Sequence, residues 1–201
     1  MIFRLPSFPL TVCCVVIVGA CLAATSVAYS RSADDWQALH RPLHLPQADA
    51  TRCPVATKPV KLGRGIWNGG QGVYIESVGP AAQVGLIDVT QSPPDSDGWR
   101  RQKTPLLLPR SYRGPVLVRA ARIDAQGVIE LAKVHTDHLQ ELRYPTGFSN
   151  GFRDRSYGLN GNYRFLAATT LLRTAGCYAF QVDGTSFSTV IVMRATLTRG
   201  G

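Results

Sequence analysis

Short runs rich in Val, Ile, Leu and Tyr, separated by Gly, Pro, Asn and Asp, follow one another from Val73 onward. β-branched and aromatic residues favour strands, and the breakers between the runs end each strand after a few residues. No stretch sustains apolar residues three and four positions apart, so we predict no helix longer than about three turns. The sequence therefore predicts an all-β fold, an antiparallel β-sandwich. Its predicted strands are 73–78, 84–89, 104–108, 115–123, 127–134, 139–144, 162–172, 177–182 and 187–194.

A β-hairpin is predicted near the C-terminus, around Asp183-Gly184. Asp-Gly between two β-rich runs is a hairpin signal, because glycine adopts positive φ without steric cost. Successive residues of a strand point to opposite faces, so the large apolar side chains before the turn should share the core face. Cys177 then points away from the core. The core-facing residues are predicted to be Tyr178, Phe180 and Val182.

The first 28 residues have the pattern of a signal segment. Arg4 precedes an uncharged stretch from Leu10 to Ala28, and Ser26 and Ala28 stand at the −3 and −1 positions that signal peptidase prefers. We therefore expect an extracytoplasmic protein, either secreted or attached to the cell envelope.

Two alternatives for this segment stay open. Val18-Gly19-Ala20-Cys21 is an acceptable lipobox, which would place a lipid on Cys21 and tether the protein to a membrane. About 19 uncharged residues could also just span a bilayer as an uncleaved anchor. In each case the membrane is contacted only through the N-terminal segment.

Residues 29–63 are interpreted as a proline-rich extended arm, and residues 64–198 as the β-sandwich domain. Proline lacks a donor N–H and disfavours helix in the residue before it. One short helical turn is predicted within residues 34–40. The proline pairs of the arm are Arg41-Pro42, Leu45-Pro46, Cys53-Pro54 and Lys58-Pro59.

The cysteines divide between the signal segment and the domain. Removal of the segment leaves only Cys53 and Cys177. Two thiols exported to an oxidising compartment are expected to form a disulfide, with two separate buried thiols as the alternative. Because Cys177 points away from the core, the bridge should be a peripheral clamp that holds the arm against the sheet.

Several motifs resemble those of known proteins. The strand opening Gly-x-Tyr-x-Phe-x-Val at Gly176–Val182 resembles bacterial immunoglobulin-like domains. Tyr112–Arg119, Gly176–Tyr178, Gln181–Ser188 and Val190–Val192 resemble a family of exported proteins from Gram-positive, mainly actinobacterial lineages, over residues 36–195. The resemblance implies export and an immunoglobulin-like β-sandwich, and it implies no activity.

The long stretch from Pro145 to Gly161 is the predicted binding loop. Aromatic faces beside planar guanidinium groups suit sugars, anionic polymers or a protein partner. Long loops on a rigid sandwich often carry such sites. The alternative is that the aromatic rings fold inward and cover one end of the sandwich. The predicted loop residues are Phe148, Phe152, Arg153, Arg155 and Tyr157.

The formal net charge of +9 favours anionic envelope partners, whereas a nucleic acid is not expected outside the cell. The basic residues are scattered, so a solvated surface is the competing explanation.

Two further motifs are assigned no site. The imidazoles of His135-x-x-His138 would converge on a metal ion only in a turn or helix. The glycine-rich stretch Gly63–Gly72 is interpreted as a flexible turn before a strand. We assign no catalytic, cofactor-binding or metal-binding residue, and no cofactor.

The favoured functional hypothesis is therefore an exported, non-enzymatic envelope or secreted module that binds a ligand, an anionic polymer or a protein partner. A structural or assembly protein without a discrete site is the second hypothesis. A hydrolase without a recognisable motif is the third.

Overall fold

A computed structural model of the chain describes residues 36–49, 52–55, 59–78, 85–90, 92–133, 137–150, 157–159 and 161–197. The predicted signal segment and Cys21 lie outside these residues. Residues 36–39 form a short helical turn. The described strands are Val60–Leu62 (β1), Gly65–Gly70 (β2), Val73–Ser77 (β3), Leu86–Asp88 (β4), Arg100–Lys103 (β5), Leu106–Pro109 (β6), Val116–Arg122 (β7), Glu130–Ala132 (β8), Glu141–Tyr144 (β9), Tyr163–Leu166 (β10), Thr169–Leu172 (β11), Gly176–Gly184 (β12) and Phe187–Thr196 (β13).

Hydrogen bonds join the described strands into three sheets. The first has the order β1-β2-β3-β6-β10, the second β5-β11-β8 and the third β4-β13-β12-β7-β9. Neighbouring strands run antiparallel, except β4 and β13, which are parallel. The prediction of an all-β, sandwich-like domain is confirmed. Among the described residues, no helix has the length and apolar character needed to cross a membrane.

Buried residues of all three sheets form the main core, and Leu131 and Leu172 are the contribution of the second sheet. Ile75 and Leu106 of the first sheet share one buried cluster with Tyr178, Phe180 and Ile191 of the third. Burying each such side chain stabilises the fold by roughly 1.5–3 kcal/mol. Alternate residues of β12 therefore face the core, as the sequence predicts.

The predicted C-terminal hairpin is confirmed, although its turn differs from the prediction. β12 and β13 stay paired as far as Gly184↔Phe187, so the turn residues are Thr185 and Ser186. Gly184 is not among the glycines with positive φ. A Cβ there would lie 2.4 Å from Phe187 Cε1 and 2.7 Å from Tyr112 Oη, so close ring packing, not turn geometry, explains this glycine.

The prediction of a flexible turn at Gly63–Gly72 is only partly right: Gly63 and Gly72 lie in the two turns of an antiparallel meander, whereas residues 65–70 between them form β2. β1 lies inside the stretch that the sequence assigned to the arm. Gly63 has φ +56°, and a Cβ on it would lie 2.0 Å from the Tyr157 carbonyl oxygen. The glycines permit close backbone approach within a sheet, which sequence composition alone does not distinguish from a flexible turn.

Two other strand predictions differ from the structure. The predicted strand 162–172 is divided into β10 and β11, which belong to different sheets. β5 was not predicted, because its sequence Arg-Arg-Gln-Lys lacks apolar alternation. Its pairing with β11 makes it a strand.

Candidate functional site

The arm segment, residues 39–49 and 52–55, lies on the outer face of β12. The backbone N–H of His44 donates to Gln181 Oε1 at 2.8 Å, and Gln181 Nε2 donates to the Pro42 carbonyl at 3.1 Å. The predicted Cys53–Cys177 disulfide is present and joins the arm segment to β12. Cys177 is only 2% exposed, because the arm segment covers the face that points away from the core.

A buried carboxylate lies beneath the arm segment. Asp183 is fully buried and accepts hydrogen bonds from Arg119 Nη2 at 2.9 Å and Ser188 Oγ at 2.6 Å. Gln181 Nε2 donates to the same carboxylate at 3.0 Å, and Arg41 Nη1 lies 3.7 Å from it. Both carboxylate oxygens are therefore occupied by donors that hold the arm segment in place.

The described part of the predicted binding loop does not form one aromatic surface. Phe148 is 37% exposed, with its ring 5.5 Å from that of Tyr144. Tyr157 packs instead on Trp67 and Phe165, at ring distances of 5.8 Å and 5.2 Å. Phe152, Arg153 and Arg155 lie outside the described residues, so the loop hypothesis stays a prediction.

Buried Arg164 anchors the beginning of this loop. Its guanidinium donates to the carbonyl oxygens of Phe148, Gly114 and Pro145. Burial lowers the pKa of Arg164. The side chain thus fixes the loop to the sandwich through backbone contacts.

His138 belongs to a surface cluster of paired side chains. Its Nδ1 contacts Glu130 Oε2, and its Nε2 lies 3.0 Å from Arg101 Nη2. Because arginine can only donate, Nε2 is the acceptor in that bond. His135 lies outside the described residues, within which no group of three or more His, Cys, Asp or Glu side chains could hold a metal ion.

A charged cavity of about 360 Å³ lies beside the disulfide. Arg122 Nε donates to Asp124 Oδ1 at 2.7 Å. Burial raises the pKa of Asp124, but the bonds that it accepts from Arg122 and from backbone outweigh burial and lower it. The charges of Arg122 and Asp124 are paired with each other, so this pair offers a ligand few free hydrogen-bonding groups.

The second edge of β13 is only partly covered. In an antiparallel strand, alternate residues point their N–H and C=O groups to opposite edges. Two hydrogen bonds show which residues of β13 direct their backbone groups away from β12. The N–H of Arg194 donates to the Gly85 carbonyl at 2.6 Å. The carbonyl of Val192 accepts from Asn68 Nδ2 at 2.7 Å. The outward residues are therefore Ser188, Val190, Val192 and Arg194.

β4 runs parallel to β13 and pairs only with Arg194–Thr196, so it begins beside the last residues of β13, and residues 79–84 before it lie outside the described part of the chain. Ser188 and Val190 consequently have no neighbouring strand at this edge among the described residues. Exposed strand edges carry unpaired donors and acceptors, which natural proteins usually cover.

A cavity of about 400 Å³ lies along this edge. We call it the edge groove, and its lining comprises Pro54, Asn68–Gln71 and Ser188–Val192. Asn68 is fully buried, yet its Oδ1 has no hydrogen-bond partner, and Thr189 Oγ1 is buried without one. Leaving such an atom unsatisfied costs about 1–3 kcal/mol, so both atoms require an explanation.

An aromatic pocket of about 380 Å³ adjoins the edge groove, and Gln71 lines both. The rings of Tyr112 and Phe187 meet edge to face at 4.9 Å. The Tyr112 hydroxyl donates to the Pro115 carbonyl at 2.7 Å and accepts from the Thr185 N–H at 2.9 Å. These bonds hold the aromatic wall in one position.

Comparison with known proteins found no matching family model, no matching curated protein and no matching solved structure. The resemblance of the sequence to exported immunoglobulin-like proteins stays a prediction.

Sequence reasoning missed the edge groove. The available signal was Asn68, a polar amide that directly follows the apolar residues Ile66 and Trp67 within the strand β2. A polar side chain next to a buried tryptophan has to find a partner. The sequence does not show that this partner is the edge of β13, because the two are 124 residues apart.

Proposed function

We propose that this chain is an extracytoplasmic, non-enzymatic binding module, and that it holds its partner in the edge groove. The observation that carries the proposal is the pair of buried, unpartnered oxygens, Asn68 Oδ1 and Thr189 Oγ1, beside a strand edge that has no neighbouring strand among the described residues. A ligand with hydrogen-bond donors would remove the cost of leaving them unsatisfied.

The lining of the edge groove suits binding through hydrogen bonds. Its described residues offer amide and hydroxyl groups, glycine backbone and valine side chains, without a charged side chain. Its walls are strands and a tight turn, so little conformational entropy is lost on binding. The anionic partner predicted from the net charge would require a different surface, since this groove offers it no cation.

The disulfide supports the extracytoplasmic part of the proposal. Disulfides persist in oxidising compartments, and this one joins residues separated by 124 positions. The predicted signal segment and the family resemblance favour the same location.

The test fills the edge groove without disturbing the fold. A Cβ added to Gly70 meets nothing within 4 Å, so Gly70→Trp should project into open space in the groove. Val128→Trp places the same side chain at a position that is 58% exposed and does not line the groove. Each immobilised variant of the full chain is used for affinity capture from the envelope fraction and the culture medium.

We expect a component that the wild type and Val128→Trp retain and that Gly70→Trp loses. Retention by all three variants would contradict the proposal. Loss in Arg153→Ala/Arg155→Ala instead of Gly70→Trp would transfer the site to the predicted binding loop.

A further inference from the structure

Asn68 occupies the place of a neighbouring strand beside Val192. Its Nδ2 donates to the Val192 carbonyl at 2.7 Å, as the backbone N–H of a paired strand would. Its Oδ1 corresponds to the carbonyl of that strand, and this oxygen has no partner. One end of the edge groove thus already contains a peptide-like amide that is half satisfied.

The next outward positions of β13 continue the same pattern. Val190 and Ser188 each direct one N–H and one C=O into the groove, and residues two apart on a strand are about 6.4–6.8 Å apart. An extended chain has its own donors and acceptors at that spacing. Its backbone would bond to Val190 and Ser188, and one further N–H would satisfy Asn68 Oδ1.

We infer that the partner is a protein that inserts an extended, uncharged segment into the edge groove, where it adds to β13 as a further strand. Main-chain hydrogen bonds supply affinity in this mode of recognition, and pockets for alternate side chains supply specificity. The inference rests on the proposed function and names the class of ligand.

The aromatic pocket fits the side chains of such a segment. It adjoins the edge groove at Gln71 and is lined by Tyr112 and Phe187. Alternate side chains of an added strand point to one face, so those on the side of this pocket should be apolar. The described residues that line groove and pocket carry no charge and give no compensation for a charged side chain.

A second copy of this chain is a poorer occupant. Gly69–Gln71 forms the wall opposite β13, and a second copy would bring its own wall into the same space. The formal net charge of +9 also opposes self-association. A single extended segment avoids both obstacles.

The test begins with a displayed library of heptapeptides without charged residues, selected on the immobilised full chain. The tightest peptide is then synthesised with a methyl group on one backbone nitrogen at a time. We expect methylation at every second residue to weaken binding about tenfold or more, and methylation at the residues between them to leave it unchanged. Val190→Pro removes an N–H that points into the groove and should weaken binding similarly, whereas Val190→Thr keeps the N–H and should not.

Because Val190→Pro could fail to fold, amide exchange in the wild type provides a second measurement. Bound peptide should slow exchange of the Ser188 and Val190 amides at least tenfold, and unchanged exchange would overturn the inference. So would a methylation profile without alternation, or a library that yields no binder. Those results leave the proposed function to be judged by the Gly70→Trp capture, which does not depend on a peptide ligand.

Discussion

Removal of the Cys53–Cys177 bridge measures how much the cross-link contributes to the fold. The cysteines are separated by 124 positions, and closing a loop of that length stabilises by about 5 kcal/mol in the chain-entropy model. Whole domains are stable by only about 5–15 kcal/mol. We therefore expect Cys53→Ala/Cys177→Ala to lose most of the margin that keeps the domain folded.

Urea unfolding monitored by tryptophan fluorescence gives the loss directly. With a slope of about 2 kcal/mol per molar urea, the midpoint should fall by about 2.5 M. The wild type with its bridge reduced should unfold at the same midpoint as the double variant. Val128→Ala is the matched control, because Val128 is 58% exposed and takes no part in the bridge, and its midpoint should not move.

Amide exchange separates local from global effects of the same change. Without the bridge the arm segment is held by hydrogen bonds worth about 1 kcal/mol each, such as that between the His44 N–H and Gln181. Without the bridge, the His44 amide should exchange faster than that of Phe180, which lies in the core and exchanges only on global unfolding. A loss of stability below about 1 kcal/mol, or a His44 amide as protected as that of Phe180, would refute this reasoning.

Three further changes have defined outcomes. Asp183→Asn should lower the free energy of unfolding by about 3 kcal/mol in urea titrations, because Arg119 keeps its charge without its carboxylate partner. Gly63→Ala should cost about 2 kcal/mol or more, whereas Gly70→Ala, where a Cβ meets open space, should stay within about 0.5 kcal/mol by thermal unfolding. Burial raises the pKa of Glu76, so its ionisation costs stability as the pH rises above its unfolded value. Glu76→Gln should therefore stabilise the protein at pH 7 and lose this advantage near pH 3, as paired urea titrations would show.

The features that the sequence predicted correctly are those decided by local alternation. Tyr178, Phe180 and Val182 alternate with smaller or polar residues, so period two alone places them on the core face. The Cys53–Cys177 pair followed from elimination, because only two cysteines lie outside the predicted signal segment. Neither inference required knowledge of which strands are neighbours.

The features that the sequence did not predict depend on contacts between distant segments. β5 is a strand because β11 lies beside it, although its own residues are polar. Gly63 lies in a turn, as its sequence suggests, but the carbonyl oxygen of Tyr157, 2.0 Å from the position of a Cβ there, is a contact that only the folded chain shows. At the edge groove, β4 pairs only with the last residues of β13, and Asn68 approaches Val192 from another sheet. Each of these facts is a property of tertiary pairing, which one sequence does not encode locally.

The disulfide and the edge groove are connected through β13. Ser188 donates its hydroxyl to Asp183 beneath the arm segment, while its backbone faces the edge groove. Pro54 lines the groove and directly follows the bridged Cys53. The bridge therefore holds part of the groove lining in place through Pro54. Under the proposed function, a lining held rigid in this way loses less entropy on association, so the peripheral clamp would contribute to recognition as well as to stability.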